Sequence, residues 1–176
     1  VIRLPRIFWL PLLYMIILRV RPKKSAELYR KVWTEWGSPL LYNTFFQAGL
    51  LRKKLQDKFT VDVAMRYGDP SIQSKMIEYK NTGFDNIVFL PMFPQYSTTT
   101  TKSIANKIAR IVKKEKIFMD DKNISLIKDF HDHDGYINAS VLHIQSFQKI
   151  NGKPSKLLLS FHGIPKSYVG DDEPYQ

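Results

Sequence analysis

The chain has 176 residues, 44% of them hydrophobic, and carries no long polar block of low complexity, a balance that favours a packed domain over disorder. It contains no cysteine, which excludes a disulfide framework, a thiolate zinc site and an iron–sulfur cluster within these residues and leaves oxygen and nitrogen as metal ligands. The net charge of +11 is concentrated in residues 1–60, where twelve Lys/Arg face only Glu27, Glu35 and Asp57; such a block attracts nucleic acid, an anionic membrane surface or an acidic small substrate.

Residues 7–18 read IFWLPLLYMIIL between Arg3, Arg6, Arg19 and Arg21. Twelve apolar residues interrupted by Pro11 fall short of the roughly 20 that cross a bilayer. A signal peptide fits poorly too, because basic residues follow the run and no small-residue cleavage site appears. Two readings stay open: a Pro-kinked helix packed on the domain, or an apolar lip that touches lipid or a flat hydrophobic ligand. After Pro22, Ser25, Glu27 and Gly37 punctuate a short helix over residues 25–36. Over residues 42–58 the positions Tyr42, Phe45, Phe46, Gly49 and Leu50 repeat at helical spacing, with Arg52, Lys53 and Lys54 set towards solvent.

From residue 60 the pattern becomes regular. Residues 60–67 (TVDVAMRY) alternate as a strand, Asp69-Pro70-Ser71 opens a helix to about Asn81, and Gly83 closes it. Residues 86–92 (NIVFLPM) form an apolar strand, followed by an amphipathic helix carrying Ile104, Ala105, Ile108, Ala109, Ile111 and Val112. Residues 124–130 give a third strand, 136–150 a third helix, Asn151-Gly152 a turn and 156–161 (KLLLSF) a fourth strand. Strands alternating with helices require crossover connections, so the expected fold is α/β: a doubly wound parallel sheet with helices on both faces. The expected organisation is one domain over residues 1–176, with a helical front over 1–36 and a strand-helix core over 37–176.

In such sheets ligands sit beyond the carboxyl ends of the strands. Arg66-Tyr67-Gly68-Asp69-Pro70, Pro91-Met92-Phe93-Pro94-Gln95-Tyr96-Ser97 and His162-Gly163-Ile164-Pro165 all begin where a strand is expected to end, so they should share one rim. A rim with an imidazole, a guanidinium, aromatics and hydroxyls suits a large, flat, partly apolar ligand with acidic substituents. Neither glycine-rich nucleotide loop occurs, and the GxSxG elbow is missing. His162, with Gly163 beside it to turn the backbone sharply, is the candidate for metal binding or proton transfer. His131-Asp132-His133 resembles a metal cluster, but no third ligand is evident from sequence, so it reads as a polar loop before a helix with Asp134 as cap. His143 reads as a structural mid-helix residue.

At this point the motifs identify a family. Ser160, His162, Gly163, Ile164 and Pro165 resemble the Ser-x-His-Gly-Ile/Leu-Pro signature of ferrochelatases. Residues 90–97 (LPMFPQYS), 65–68 (MRYG), 33–40 (WTEWGSPL) and the ending 172–176 (DEPYQ) are similar to that family's other motifs, in the same order and over essentially the whole chain. The resemblance implies a lyase of haem biosynthesis that inserts Fe(II), its substrate rather than a permanently bound cofactor, into protoporphyrin or coproporphyrin between two Rossmann-like halves. It implies His162 as metal ligand and acceptor of a pyrrole proton. Arg66 and Tyr67 would seat the ring and its propionates, with Phe93, Gln95, Tyr96 and Ser97 as further substrate contacts. It also implies a hydrophobic lip from the front segment, a cytoplasmic protein with peripheral contact to the inner membrane through residues 7–18, and no nucleic-acid partner.

The family's opening strand, which ends in Asn-Leu-Gly-Thr-Pro, and the glutamate of its second half are not in this sequence. The expectation is a chain cut at both ends, whose partner is the C-terminal half of the same protein and which is inactive alone. Other readings are a chelatase for another metal or tetrapyrrole, a tetrapyrrole-binding module without chemistry, and a basic nucleic-acid module, which no aromatic-basic strand supports.

Overall fold

A computed structural model describes residues 6–84, 86–118, 123–169 and Pro174, with the side chains of Arg6, Phe8, Trp9 and Asp57 outside the description. The chain divides into two compact units, Val1–Pro70 and Ser71–Gln176.

The first unit is helical. Helix α1 (Arg6–Leu12) contains Pro11 and passes into a five-residue π segment, Leu13–Ile17, then into α2 (Leu18–Val32). The widened turn follows directly after Pro11, whose nitrogen cannot donate and whose ring crowds the carbonyl one turn back. The helix therefore does not begin at Ser25: it runs through Pro22 and ends at Val32, with Trp33 already extended. Beyond it the Thr34 and Gly37 backbones exchange hydrogen bonds of 3.1 and 3.0 Å, closing a tight turn in which Gly37 takes φ +88°.

Helix α3 (Pro39–Leu55) starts on the pre-set φ of Pro39 and ends on Arg52, Lys53 and Lys54, cations suited to its negative terminus. Its expected apolar face is not a buried one: Tyr42, Phe45, Phe46 and Leu50 are all exposed, and the buried residue of the helix is Ala48. Trp36, Tyr42 and Phe46 stack in a row, with ring centroids 6.0 and 6.4 Å apart. Arg52 donates through Nε to the Val61 carbonyl at 2.7 Å and reaches Asp62 at 3.5 Å, which fastens the extended stretch after α3 to the helix end. That stretch, expected as a strand over residues 60–67, forms no ladder: the described residues of this unit hold no second strand to pair with it.

The second unit is α/β. Helix α4 (Ile72–Asn81) is capped by the Ser71 side chain, which accepts from the Ser74 amide at 3.0 Å. Strand β1 (Ile87–Phe89), helix α5 (Thr101–Glu115) and strand β2 (Ile124–Leu126) make a strand-helix-strand crossover, with β1 and β2 parallel and Ile87, Val88 and Phe89 in register with Ile124, Ser125 and Leu126. The core lies on one face of this pair: Ile72 and Met76 of α4, Ile108 and Ile111 of α5 and Phe118 are buried, with Ile87, Phe89, Ile124 and Leu126 packed against them. Each such side chain contributes about 1.5–3 kcal/mol by leaving water. Gln73 and Glu115 join the two helices by a 2.8 Å hydrogen bond.

Two expectations are corrected here. Among the described residues the sheet is covered on one face: Val88 points outward at 55% exposure and α6 (Asp134–Asn151) buries no residue, so the expected helices on both faces are not seen there. Residues 156–161 form no strand: Leu157, Leu158 and Leu159 are exposed, and none of the three makes a ladder bond among the described residues. An apolar run becomes a strand only when a neighbour completes its hydrogen bonds, and β2 pairs with β1 alone.

Candidate functional site

The second unit contains a cavity of about 590 Å³, within the size range of small-molecule sites. Three stretches of chain build it. The loop after β1 supplies Phe93, Pro94, Gln95 and Ser97 and runs into Thr99 and Thr100 at the start of α5. The loop after β2 supplies His131, and the first turn of α6 supplies Tyr136. The stretch before a short 3-10 turn, Lys166–Tyr168, supplies Ser160, Phe161, His162 and Ile164.

Hydrogen bonds lace these walls together. The Phe130 amide donates to the Pro94 carbonyl at 2.9 Å, tying the second loop to the first. Thr98 donates through Oγ1 to the Tyr168 carbonyl at 2.6 Å, tying the first loop to the third stretch. Ser97, buried at 2% exposure, sits 2.9 Å from the Thr99 hydroxyl and accepts from the Thr99 amide, which fixes the turn into α5. Phe130 and Tyr136 meet edge to face with centroids 5.5 Å apart, which sets the Tyr136 ring at the cavity.

His162 is solvent-exposed on this wall, so its imidazole is accessible to a ligand in the cavity and is not walled off by hydrocarbon. The neighbouring Gly163 does not take a positive φ, and residues 161–165 form neither a turn nor a bend, so the sharp turn expected at Gly163 is not found. Phe93, Gln95 and Ser97 are gathered with His162; Tyr96 is not among the lining residues and lies under the Lys128 ammonium, 4.9 Å from its ring centre. Arg66 and Tyr67 belong to the first unit, where the guanidinium stacks over the tyrosine ring at 4.5 Å and Tyr67 is 72% exposed.

Sequence reasoning missed Thr99, Thr100, His131 and Tyr136 as cavity residues. The signal available was positional, since each lies on the connection that leads from the carboxyl end of β1 or β2 into the first turn of the following helix. The reading of Asp134 as helix cap is also corrected: His133 caps α6 by accepting the Gly135 amide on Nδ1 at 3.0 Å, and Asp134 is the first helical residue, favourably placed by its charge. His143 is exposed on α6.

The family model described as Ferrochelatase matches residues 1–176. The chain belongs to the ferrochelatase family. Among curated ferrochelatases, that of Alcanivorax borkumensis is 39% identical over 179 residues, and those of Shewanella denitrificans and Wigglesworthia glossinidia brevipalpis are each 40% identical; all three alignments cover 99% of this chain. The chain spans about half the length of these ferrochelatases, 52–54%. No solved structure matches it. Ferrochelatase membership covers both units, including the loops that carry Arg66, Phe93 and His162.

Proposed function

We propose that the whole protein to which this chain belongs inserts ferrous iron into protoporphyrin or coproporphyrin in haem biosynthesis, with His162 as its working imidazole. The observation that carries this reading is an exposed histidine on the wall of an aromatic-lined cavity, in a chain of this family. A free-base porphyrin holds two inward N–H groups, so an entering Fe²⁺ displaces two protons, and each must find a base. An imidazole at the ring face accepts a pyrrole proton and passes it to solvent, and its nitrogen can hold the metal before transfer. Phe93 and Tyr136 offer ring faces to the flat ligand, while Gln95 and Ser97 offer polar contacts at its edge. Tyr96 is included with them as a substrate contact.

The remaining assignments belong to the same proposal. Arg66 and Tyr67 seat the propionates, a task for a planar guanidinium. Residues 1–176 act as one N-terminal chelatase domain, and the part of the protein beyond them supplies the second wall of the cleft and the neighbours that complete a doubly wound sheet. The chain alone is then inactive. Residues 7–18 touch the cytoplasmic face of the inner membrane; among the described residues no helix is long and apolar enough to cross one.

The test is His162→Ala in the whole protein. Metal insertion, followed as loss of porphyrin fluorescence, should fall at least a hundredfold while porphyrin still binds. Retained insertion overturns the role of His162, and a wild-type protein that binds porphyrin without metalating it overturns the chemistry.

A further inference from the structure

The loop after β2 holds a second cluster of metal-ligating groups. One ligand atom each from Asp129, His131 and Asp132 lie within 4.8 Å of one another. This is not the His-Asp-His arrangement suggested by the sequence: His133 spends its Nδ1 on the helix cap, and Asp129 takes its place as third ligand. His131 Nδ1 is buried and makes no hydrogen bond among the described residues. It stands 3.7 Å from Asp129 Oδ1, too far for such a bond. Ligands about 2.0–2.2 Å from a divalent ion lie ~3–3.5 Å from each other, so small side-chain rotations would bring these three atoms onto one ion.

The donor set and its position both point the same way. One imidazole with two carboxylates suits a divalent first-row ion, and the two negative charges neutralise it in a chain whose net charge of +11 otherwise repels cations. Asp129 and Asp132 line a shallower hollow of about 510 Å³, whereas His131 lines the deeper cavity that carries His162. The cluster thus bridges an exposed surface and the cavity wall.

We propose that Asp129, His131 and Asp132 form a loading site that takes a ferrous ion from solvent and presents it at the wall of the cavity lined by His162. The ion-binding part stands on this geometry; its use for loading rests on the chelatase reading above.

The test uses the whole protein without porphyrin, titrated with Co(II) by equilibrium dialysis and followed by visible absorption. The shape-conserving variant Asp129→Asn/Asp132→Asn should bind one Co(II) fewer or bind it at least tenfold more weakly, with an unchanged helical circular dichroism signal, and should raise the KM for iron but not for porphyrin. His131→Ala should lose the same ion, and His162→Ala should keep it. An Asn/Asn variant with wild-type Co(II) stoichiometry and affinity overturns the site. If it loses the ion while the KM for iron stays put, the loading role is overturned. A protein that takes up Co(II) at these residues but never metalates porphyrin refutes the reaction and leaves the site standing.

Discussion

Three residues show how much depends on single side chains in the second unit. His133 is an unusual helix cap: an imidazole nitrogen does what a serine or aspartate oxygen usually does, accepting from the orphan amide of Gly135, the second residue of α6. His133→Ala should cost about 1 kcal/mol of stability by loss of that cap, whereas His133→Asn should restore most of it, as read from urea unfolding. Phe118 takes φ 48° although it is bulky, and it is held there because its ring is buried in the core. Burial outweighs strain at this position, so Phe118→Gly, which relieves the strain and removes the ring, should still destabilise the unit. The buried Nδ1 of His131 marks a third such residue, a polar atom without a hydrogen bond among the described residues.

At the level of elements, legibility followed the source of each element's stability. Helices α4, α5 and α6 were readable to within a few residues, because the Ser71 cap, the apolar spacing of Ile104, Ile108, Ile111 and Val112, and the Gly152 stop are all local signals. β1 and β2 were readable in place and direction, since a crossover helix between two apolar runs produces a parallel pair, but each spans three residues where residues 86–92 and 124–130 were expected. Residues 60–67 and 156–161 carry the same β-rich composition, yet composition cannot report whether a neighbouring strand is at hand. The cavity was legible where motifs named Phe93, Gln95, Ser97 and His162. It was not legible at His131 and Tyr136, whose roles depend on how the loop after β2 folds back through the Phe130–Pro94 bond. The packing between α4 and α5 yields a test: Met76, at 1% exposure, should cost about 2–5 kcal/mol when cut to Ala. Val88→Thr on the open face of the sheet should change stability by less than ~0.5 kcal/mol.

For the whole molecule, the division of charge and apolar surface is the governing fact. The first 60 residues carry most of the positive charge, and the helical front exposes Ile7, Tyr14, Met15 and Ile16. Anionic vesicles should therefore retain the protein more strongly than zwitterionic ones, and salt should weaken the retention as it screens the arginines. Replacing Met15 and Ile16 by Glu should reduce retention on both kinds of vesicle, as measured by cosedimentation.

Leu157, Leu158 and Leu159 stand in water at 59%, 92% and 66% exposure, in a β-prone stretch that pairs with no strand among the described residues. Such a stretch is adhesive, because any second extended chain can zip onto it and shed water from both partners. The 176-residue chain on its own should accordingly clump in a concentration-dependent way, and a lysine at position 158 should act as a gatekeeper that keeps it dispersed in light scattering.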